Sequence, residues 1–454
     1  MPGAVGPAQR GNSPAQRGDI PANRGNLIER LVTVEHGEWP RLALAFLYFF
    51  FLLGGYFMLR PLRGAVAANN SDILHWLYTG TFLTMLAIVP AFGFLVSRFT
   101  RGQFIPAIYA FFILHLLLFA MAFEGDATPP WVQRGFYIWL SVFNLFVVSI
   151  FWSFMADIFR PGQAQRLFGF IMAGGSIGAI IAPSFTKGIV AGHGATGVML
   201  ASAVFLGLAT VLAVVLGRFA RTQGASRDSE VIGGSIWEGA VRVFRSEYLL
   251  YACLLMLLHN LVSTFLFNGL AVLVDENVTG FEERTTFFSH VDQVVQILAF
   301  IFQFFITSRL VSHFGMPRTM VMIPALLAGG FVILGSSMGL VLFAAVQVAQ
   351  RSLNYGVLGP AKEMLFTVVD RETKYKSKNF IDTAIYRGSD VTASWIFKGL
   401  SSAGMSIAQM TWVYLPVMAL WVLGAWRLGR IYTRMREQLR GPAPDLAPEP
   451  AAAT

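Results

Sequence analysis

The chain has 454 residues, of which 55% are hydrophobic and only 13% charged, and its mean hydropathy is +0.59. A soluble domain carries about 25% charged residues, so this composition excludes a water-soluble globular protein and points to a polytopic membrane protein. The net charge of +9 comes from short loops and tails, which argues against a nucleic-acid surface. Cys253 is the single cysteine and lies in an apolar run, so neither a disulfide framework nor a cysteine metal site is expected.

Residues 1–26 repeat PAQRGNS, PAQRGDI and PANRGN from Pro7 onward. Pro, Gly, Arg and Asn at that density cannot bury a core, so this leader is expected to be a disordered tail. An amphipathic stretch, Leu27 to Glu35, is expected on the membrane surface. The first apolar run begins near residue 41, after the polar leader, so no signal peptide is expected.

At about 20 residues per crossing, twelve spans follow, near 41–60, 75–97, 103–123, 135–156, 167–186, 195–217, 248–274, 286–308, 319–337, 340–366, 380–400 and 408–426. The break between the ninth and tenth rests on Gly335, Ser336, Ser337 and Gly339. Residues 437–454 are again Pro/Ala-rich and expected to be a disordered tail.

Loop charges support the count. One set of loops carries Arg98 and Arg101, Arg160 and Arg166, Arg218 to Arg245, Arg309 and Arg318, and Arg371 to Lys378, and both tails are basic; the opposite loops hold Asp72, Glu124, Asp126, Glu282 and Glu283. The positive-inside rule then places both termini in the cytoplasm, in the cell (inner) membrane. The longest connection, 218–247, divides the chain into six-span bundles at 27–217 and 248–436. The halves echo each other at a separation of about 212 residues: Ser97-Arg98 with Ser308-Arg309, Asp157 with Asp370, and Gly175-Ser176 with Gly388-Ser389. Three matches in one order indicate parallel repeats. The expected fold is an all-α polytopic membrane protein of twelve transmembrane helices in two pseudo-symmetric six-helix bundles.

This layout, with Gly93 through Ser97-Arg98 and Arg101 after the second span, resembles the major facilitator superfamily, although Ser97 stands where the superfamily's loop motif has an acidic residue. Within it, Tyr56-Phe-Met-Leu-Arg60-Pro-Leu-Arg63, the stretch Asp157 to Gly169 and the stretch Lys378 to Gly388 resemble the ATP/ADP translocase family of bacteria and plastids. That resemblance implies counter-exchange of ATP and ADP, with Arg60 or Arg63 binding phosphate.

The charges themselves carry a reading. Arginine at the centre of a membrane helix costs roughly 3 kcal/mol, and Arg60 and Arg63 close an 18-residue uncharged run, Leu42 to Leu59. A guanidinium fork suits phosphate or carboxylate. Both could instead snorkel to the outer interface, since Arg60 would lie nearer the outer mouth than the midplane. Within or beside the spans, Arg60, Arg63, Arg351, Lys362, Arg387 and Lys398 outnumber Asp292, Glu363, Asp382 and Asp390. The excess leaves room for an anion. Arg387 and Asp390, three apart, share a helix face and either fix register or touch substrate. The candidate binding residues are Arg60, Arg63, Arg351, Arg387, Asp390 and Lys362.

Asp292, placed near the outer loop, could carry a proton or be a hydrogen-bonded structural group. Asp157, Arg98 and Arg166 either latch helix ends or gate. His259 and Asn260 could meet a nucleobase or a proton, and Tyr56, Tyr355 and Trp152 could stack a base. Gly174-Gly-Ser176-Ile-Gly178 matches G-x-S-x-G but lies inside an apolar span, so close helix packing is expected rather than a nucleophile. No P-loop pattern is present, so ATP would be cargo. No metal spacing, cofactor or catalysis is expected. The function implied is an alternating-access secondary transporter exchanging nucleotides or another organic anion. A proton-coupled carrier of a different solute, or a non-transporting scaffold, is the alternative. Its partners would be a small anionic solute and the lipid bilayer, with no nucleic acid and no obligate protein partner.

Overall fold

The computed structural model describes residues 34–35, 37–98, 101–222, 236–370, 373, 377 and 380–440. The leader, nearly all of the 27–35 stretch, the tail from 441, and the basic residues Arg371, Lys374, Lys376 and Lys378 lie outside the described residues. Every regular element among the described residues is helical.

Among the described residues, twelve long helices match the expected spans. They are α1 (Trp39–Asn69), α2 (Leu74–Arg98), α3 (Arg101–Ala122), α4 (Pro130–Ile158), α5 (161–193) and α6 (195–222) in the first half. The second half has α7 (Glu247–Asn277), α8 (281–314), α9 (316–336), α10 (340–365), α11 (380–402) and α12 (Ile407–Arg440). Two junctions are single glycines. Gly194 (φ 61°) separates α5 from α6, and Gly315 (φ 75°) separates α8 from α9. Only glycine enters that left-handed region without penalty. The α9–α10 break falls where the small residues predicted it: α9 ends at Ser336, Ser337 is extended, and Gly339 precedes α10. A short helix, Ile236–Arg245, lies in the connection between halves.

Each half has its own apolar core. One is built from residues between Leu42 and Leu216, the other from residues between Val243 and Tyr432, with Ala271 and Phe281 packing into the first and Ala68 into the second. The outer faces are apolar too. On α3 the exposed Phe111, Leu114, Leu118 and Met121 recur every three to four residues, a stripe that only lipid solvates without cost.

The halves meet at the end away from the chain termini. Asp126, in the α3–α4 loop, accepts a hydrogen bond from the Phe281 N–H at 2.8 Å. It thereby caps α8, whose own N-cap is the side-chain-less Gly280. Arg284 donates to Asn69 and pairs with Asp275 at 2.9 Å, and Ser71 donates to Asp275 at 3.0 Å. Trp395 on α11 donates to Thr79 on α2 at 3.1 Å and meets His75 edge-on.

The glycines of the G-x-S-x-G segment sit where α5 crosses α1. A Cβ on Gly174 would fall 2.5 Å from the Phe46 carbonyl oxygen, and one on Gly178 would overlap the Phe50 carbonyl. Ser176 spends its hydroxyl on the Met172 carbonyl of its own helix. The segment is a packing seam, and two bonds reinforce it. Thr186 donates to the Met58 carbonyl and Ser202 to the Gly55 carbonyl, each at 2.9 Å.

Gly178→Ala should therefore cost at least about 1 kcal/mol through overpacking. Gly169→Ala, in open space, should cost nothing and gain helix propensity. Thermal unfolding of the detergent-purified variants checks this, and equal melting temperatures would refute the seam. Removing the α8 cap in Asp126→Ala should cost about 1 kcal/mol. That should raise the population separated at this end about fivefold, read as a longer distance between spin labels at Ala127 and Glu276.

Candidate functional site

The sequence pattern ends the first span at the two arginines. The structure corrects this: α1 continues through Pro61 to Asn69, because a membrane helix packed against its neighbours tolerates an interior proline. Arg60 therefore lies nine residues, roughly 14 Å, inside the helix end. It does not snorkel to the outer interface.

Side chains on a helix lean toward its N-terminus, so Arg60 lies over Phe57, with its guanidinium carbon 5.4 Å from the ring. Its Nη2 donates to the Tyr355 hydroxyl of α10 at 2.8 Å, and its Nε stands 3.9 Å from Asp292 of α8. Asp292 in turn accepts from Arg351 Nη2 of α10 at 2.5 Å. One buried carboxylate thus faces two guanidiniums, one from each half. Asp292 and Arg351 are each eleven residues into their helices, roughly 17 Å. Asp292 is therefore a deep inter-helix partner and not a group near the outer loop.

Arg63, one turn on from Arg60, has no carboxylate partner among the described residues. Its guanidinium stacks 3.9 Å from the Tyr137 ring of α4 and 5.9 Å from the Phe267 ring of α7, and its buried Nε lacks a hydrogen-bond partner. Arg351 Nε is likewise buried and unsatisfied. Cation–π contact offsets part of the desolvation, but a donor aimed into a dry site remains available to a ligand.

A second cluster stands on α11. Arg387 and Asp390 face each other at 3.7 Å as the i, i+3 spacing predicts. Asp390 also accepts from Thr264 of α7 at 3.1 Å. Lys362 Nζ lies 5.9 Å and the Arg387 guanidinium 5.5 Å from the Tyr386 ring, which brings α10 and α11 charges to one side chain. The Tyr386 carbonyl accepts from Asn260 at 2.9 Å.

The remaining candidates lie elsewhere. Arg166 joins the start of α5 to the chain entering α1, reaching Glu35 at 2.9 Å and Glu38 at 3.2 Å, and Gln163 adds a 2.7 Å bond to Glu38. Burial pushes the Glu38 carboxyl up, but the Glu35 N–H, Gln163 and Arg166 together hold it below its ordinary value. This is a latch within one half. Asp157 sits in the last turn of α4, far along its helix from the arginines. The side chains of Arg98 and Asp382 lie outside the described residues. His259 packs edge-on against Trp421 of α12, and Trp152 packs on Phe49 and Phe151 in the first core.

Sequence patterns did not pair Asp292 with Arg351, nor assign Tyr355 to Arg60. The available signal was spacing: Tyr355 follows Arg351 by four residues, one helical turn. The π-helical turns Phe302–Ile306, Asn354–Leu358 and Ile381–Ile385 left no sequence mark. All three lie in the second half, and two carry or directly precede site residues. Such turns recur at functional positions because the extra residue frees a backbone group.

No curated protein sequence matches the chain. Among solved structures, a bacterial homologue of the human lysosomal transporter Spinster, inward-facing and unoccupied, superposes with a TM-score of 0.56 at 12% identity over 90% of this chain and 100% of that one. A bacterial homologue of the iron transporter ferroportin, inward-facing, gives 0.58 at 13% identity over 87% and 98%. The nucleoside transporter NupG gives 0.55 at 12% over 87% and 100%. At these identities the likeness establishes the fold alone. The sequence model of the Major Facilitator Superfamily matches residues 42–361, more than half of the chain, and with twelve helices in two bundles the protein belongs to that superfamily of membrane transporters.

Proposed function

We propose that this transporter exchanges a small organic anion, a nucleotide or another phosphate ester, across the inner membrane with both termini cytoplasmic. The observation that carries the reading is the charge balance at the seam. Among the described residues, the arginines Arg60, Arg63, Arg351 and Arg387 come from both halves, and the carboxylates seen to pair with arginines there are Asp292 and Asp390. The excess of two cations matches a phosphate monoester, which carries about −1.5 to −2 charges.

Asp292 holds Arg60 and Arg351 and so ties the halves across the seam. A phosphate arriving at Arg60, Arg63 and Arg351 would replace that carboxylate with bidentate contacts. Its binding energy would then go into the contact between halves, where rocking requires it. Tyr355, 40% exposed and bonded to Arg60, offers a ring suited to a planar group. Exchange follows if the empty, positively charged site reorients slowly.

Proton coupling is a second reading, favoured by Asp390. Its oxygen stands 3.7 Å from Arg387, beyond hydrogen-bond distance, with Thr264 as its nearer partner. A protonophore separates the two readings: it should abolish coupled uptake and leave counter-exchange intact.

Counterflow in proteoliposomes tests the proposal with nucleotides, phosphorylated metabolites, dicarboxylates and neutral solutes. Arg60→Ala and Arg63→Ala should each lower exchange of the active anion by about 100-fold, the worth of a buried charge-assisted contact, while the protein remains folded. Unchanged uptake in both variants would overturn the reading. Asp292→Asn should destabilise the ligand-free protein by about 3 kcal/mol, because two buried arginines lose their counter-charge. The transported anion should restore most of that loss, as seen in melting temperature with and without ligand.

A further inference from the structure

A cavity of about 480 Å³ opens on the outer face of the second half, between α8, α9 and α10. Its walls are two stripes of apolar side chains. On α8 the stripe runs from His290 to Phe302, and on α10, which runs parallel to it, from Val341 to Leu353. Each spans twelve residue steps, or about 18 Å of helix. Leu326 of α9 closes the side. The groove therefore runs along the helices, starting at the end away from the chain termini and stopping at the π-helical turns at mid-depth. One leaflet of the roughly 30 Å hydrocarbon core is about 15 Å deep, so the groove has the length of a single leaflet.

Its surroundings are those of a lipid-facing surface. Val294, Leu326 and Val341 are 45%, 61% and 80% exposed. His290 is the exception in this apolar lining. Its Nε2 stands 3.3 Å from Lys187 Nζ of α5, across the seam between halves. Lys187 is seven residues from the Gly194 turn, about 10 Å. The helices are longer than the hydrocarbon core, and α1 alone has 31 residues, so a lysine at that depth reaches the headgroup level. The groove and its polar mouth lie on the far side of α8 and α10 from the Asp292–Arg351 pair, so neither serves the site described above.

We propose that this groove retains a glycerophospholipid of the leaflet away from the chain termini, with one acyl chain between α8 and α10 and its phosphate on Lys187 and His290. An apolar groove of this volume left unfilled loses contacts along its whole lining. The Lys187 ammonium at one end, held beside His290, adds what a bare apolar groove lacks, namely a preference for phosphate.

The test is native mass spectrometry of the full-length protein in detergent, supplied with phosphatidylglycerol, with diacylglycerol of the same chains, or with glycerol 3-phosphate alone. The expected result is retention of one phosphatidylglycerol and of neither fragment analogue. Lys187→Gln should weaken retention about tenfold, the worth of one charge-assisted hydrogen bond, and Lys187→Arg should restore it. Ala345→Trp, at an exposed groove position, should abolish retention by filling the groove. Equal retention of diacylglycerol, which lacks the phosphate, would overturn the proposal. So would phosphatidylglycerol binding unchanged in both Lys187→Gln and Ala345→Trp, or glycerol 3-phosphate binding alone. None of these outcomes depends on which solute the protein carries.

Discussion

A charge inside a bilayer must find a partner, and in this protein the partner of Arg60 lies in the other half. The first half supplies the guanidinium on α1, and the second supplies Asp292, Tyr355 and Arg351 on α8 and α10. This buried contact between bundles is therefore electrostatic, and burial makes each interaction strong and each unpaired charge expensive. A hydrophobic contact at that level would be indifferent to any solute. A shared carboxylate is not, because an arriving anion competes with it for the same donors.

The two halves are built differently around this point. In the first, α1 is clamped to α5 at Gly174 and Gly178 and to α6 through Ser202, and aromatic rings stack behind it, with Phe49 and Phe151 at 4.1 Å and Trp139 and Phe143 at 5.2 Å. Arg60 and Arg63 are thus carried on a helix with little freedom to shift. In the second half, α8, α10 and α11 each contain a π-helical turn, and those of α8 and α10 touch, Thr307 donating to the Gly356 carbonyl at 2.6 Å. Such π turns are rare and recur at functional sites, and here they lie on the half opposite Arg60.

The lateral groove on α8 and α10 ends at those same π turns. A lipid chain and a solute would then press on opposite sides of one pair of helices. The end away from the termini is held by a separate set of bonds, centred on Asp126, Asp275, Arg284 and Trp395. The buried charges around Asp292 and this closure are distinct sets of contacts between the same two halves.

Much of the architecture was legible in the sequence. Most of the twelve spans are long apolar runs, and lipid forces such a run to satisfy its own backbone as a helix, so the pattern indicates their number and order. The small-residue break at Ser337–Gly339, and the i, i+3 spacing of Arg387 with Asp390, are local facts and were readable for that reason. The end of α1 was not. Hydropathy stops at Arg60, but a charge ends a membrane helix only when it lacks a partner, and Asp292 is 232 positions away in the chain. The depth of Asp292, the assignment of Tyr355 to Arg60, the π turns and the groove beside His290 depend on how separate helices face one another. Side-chain chemistry determined which groups needed partners; only the tertiary packing decided which partners they found.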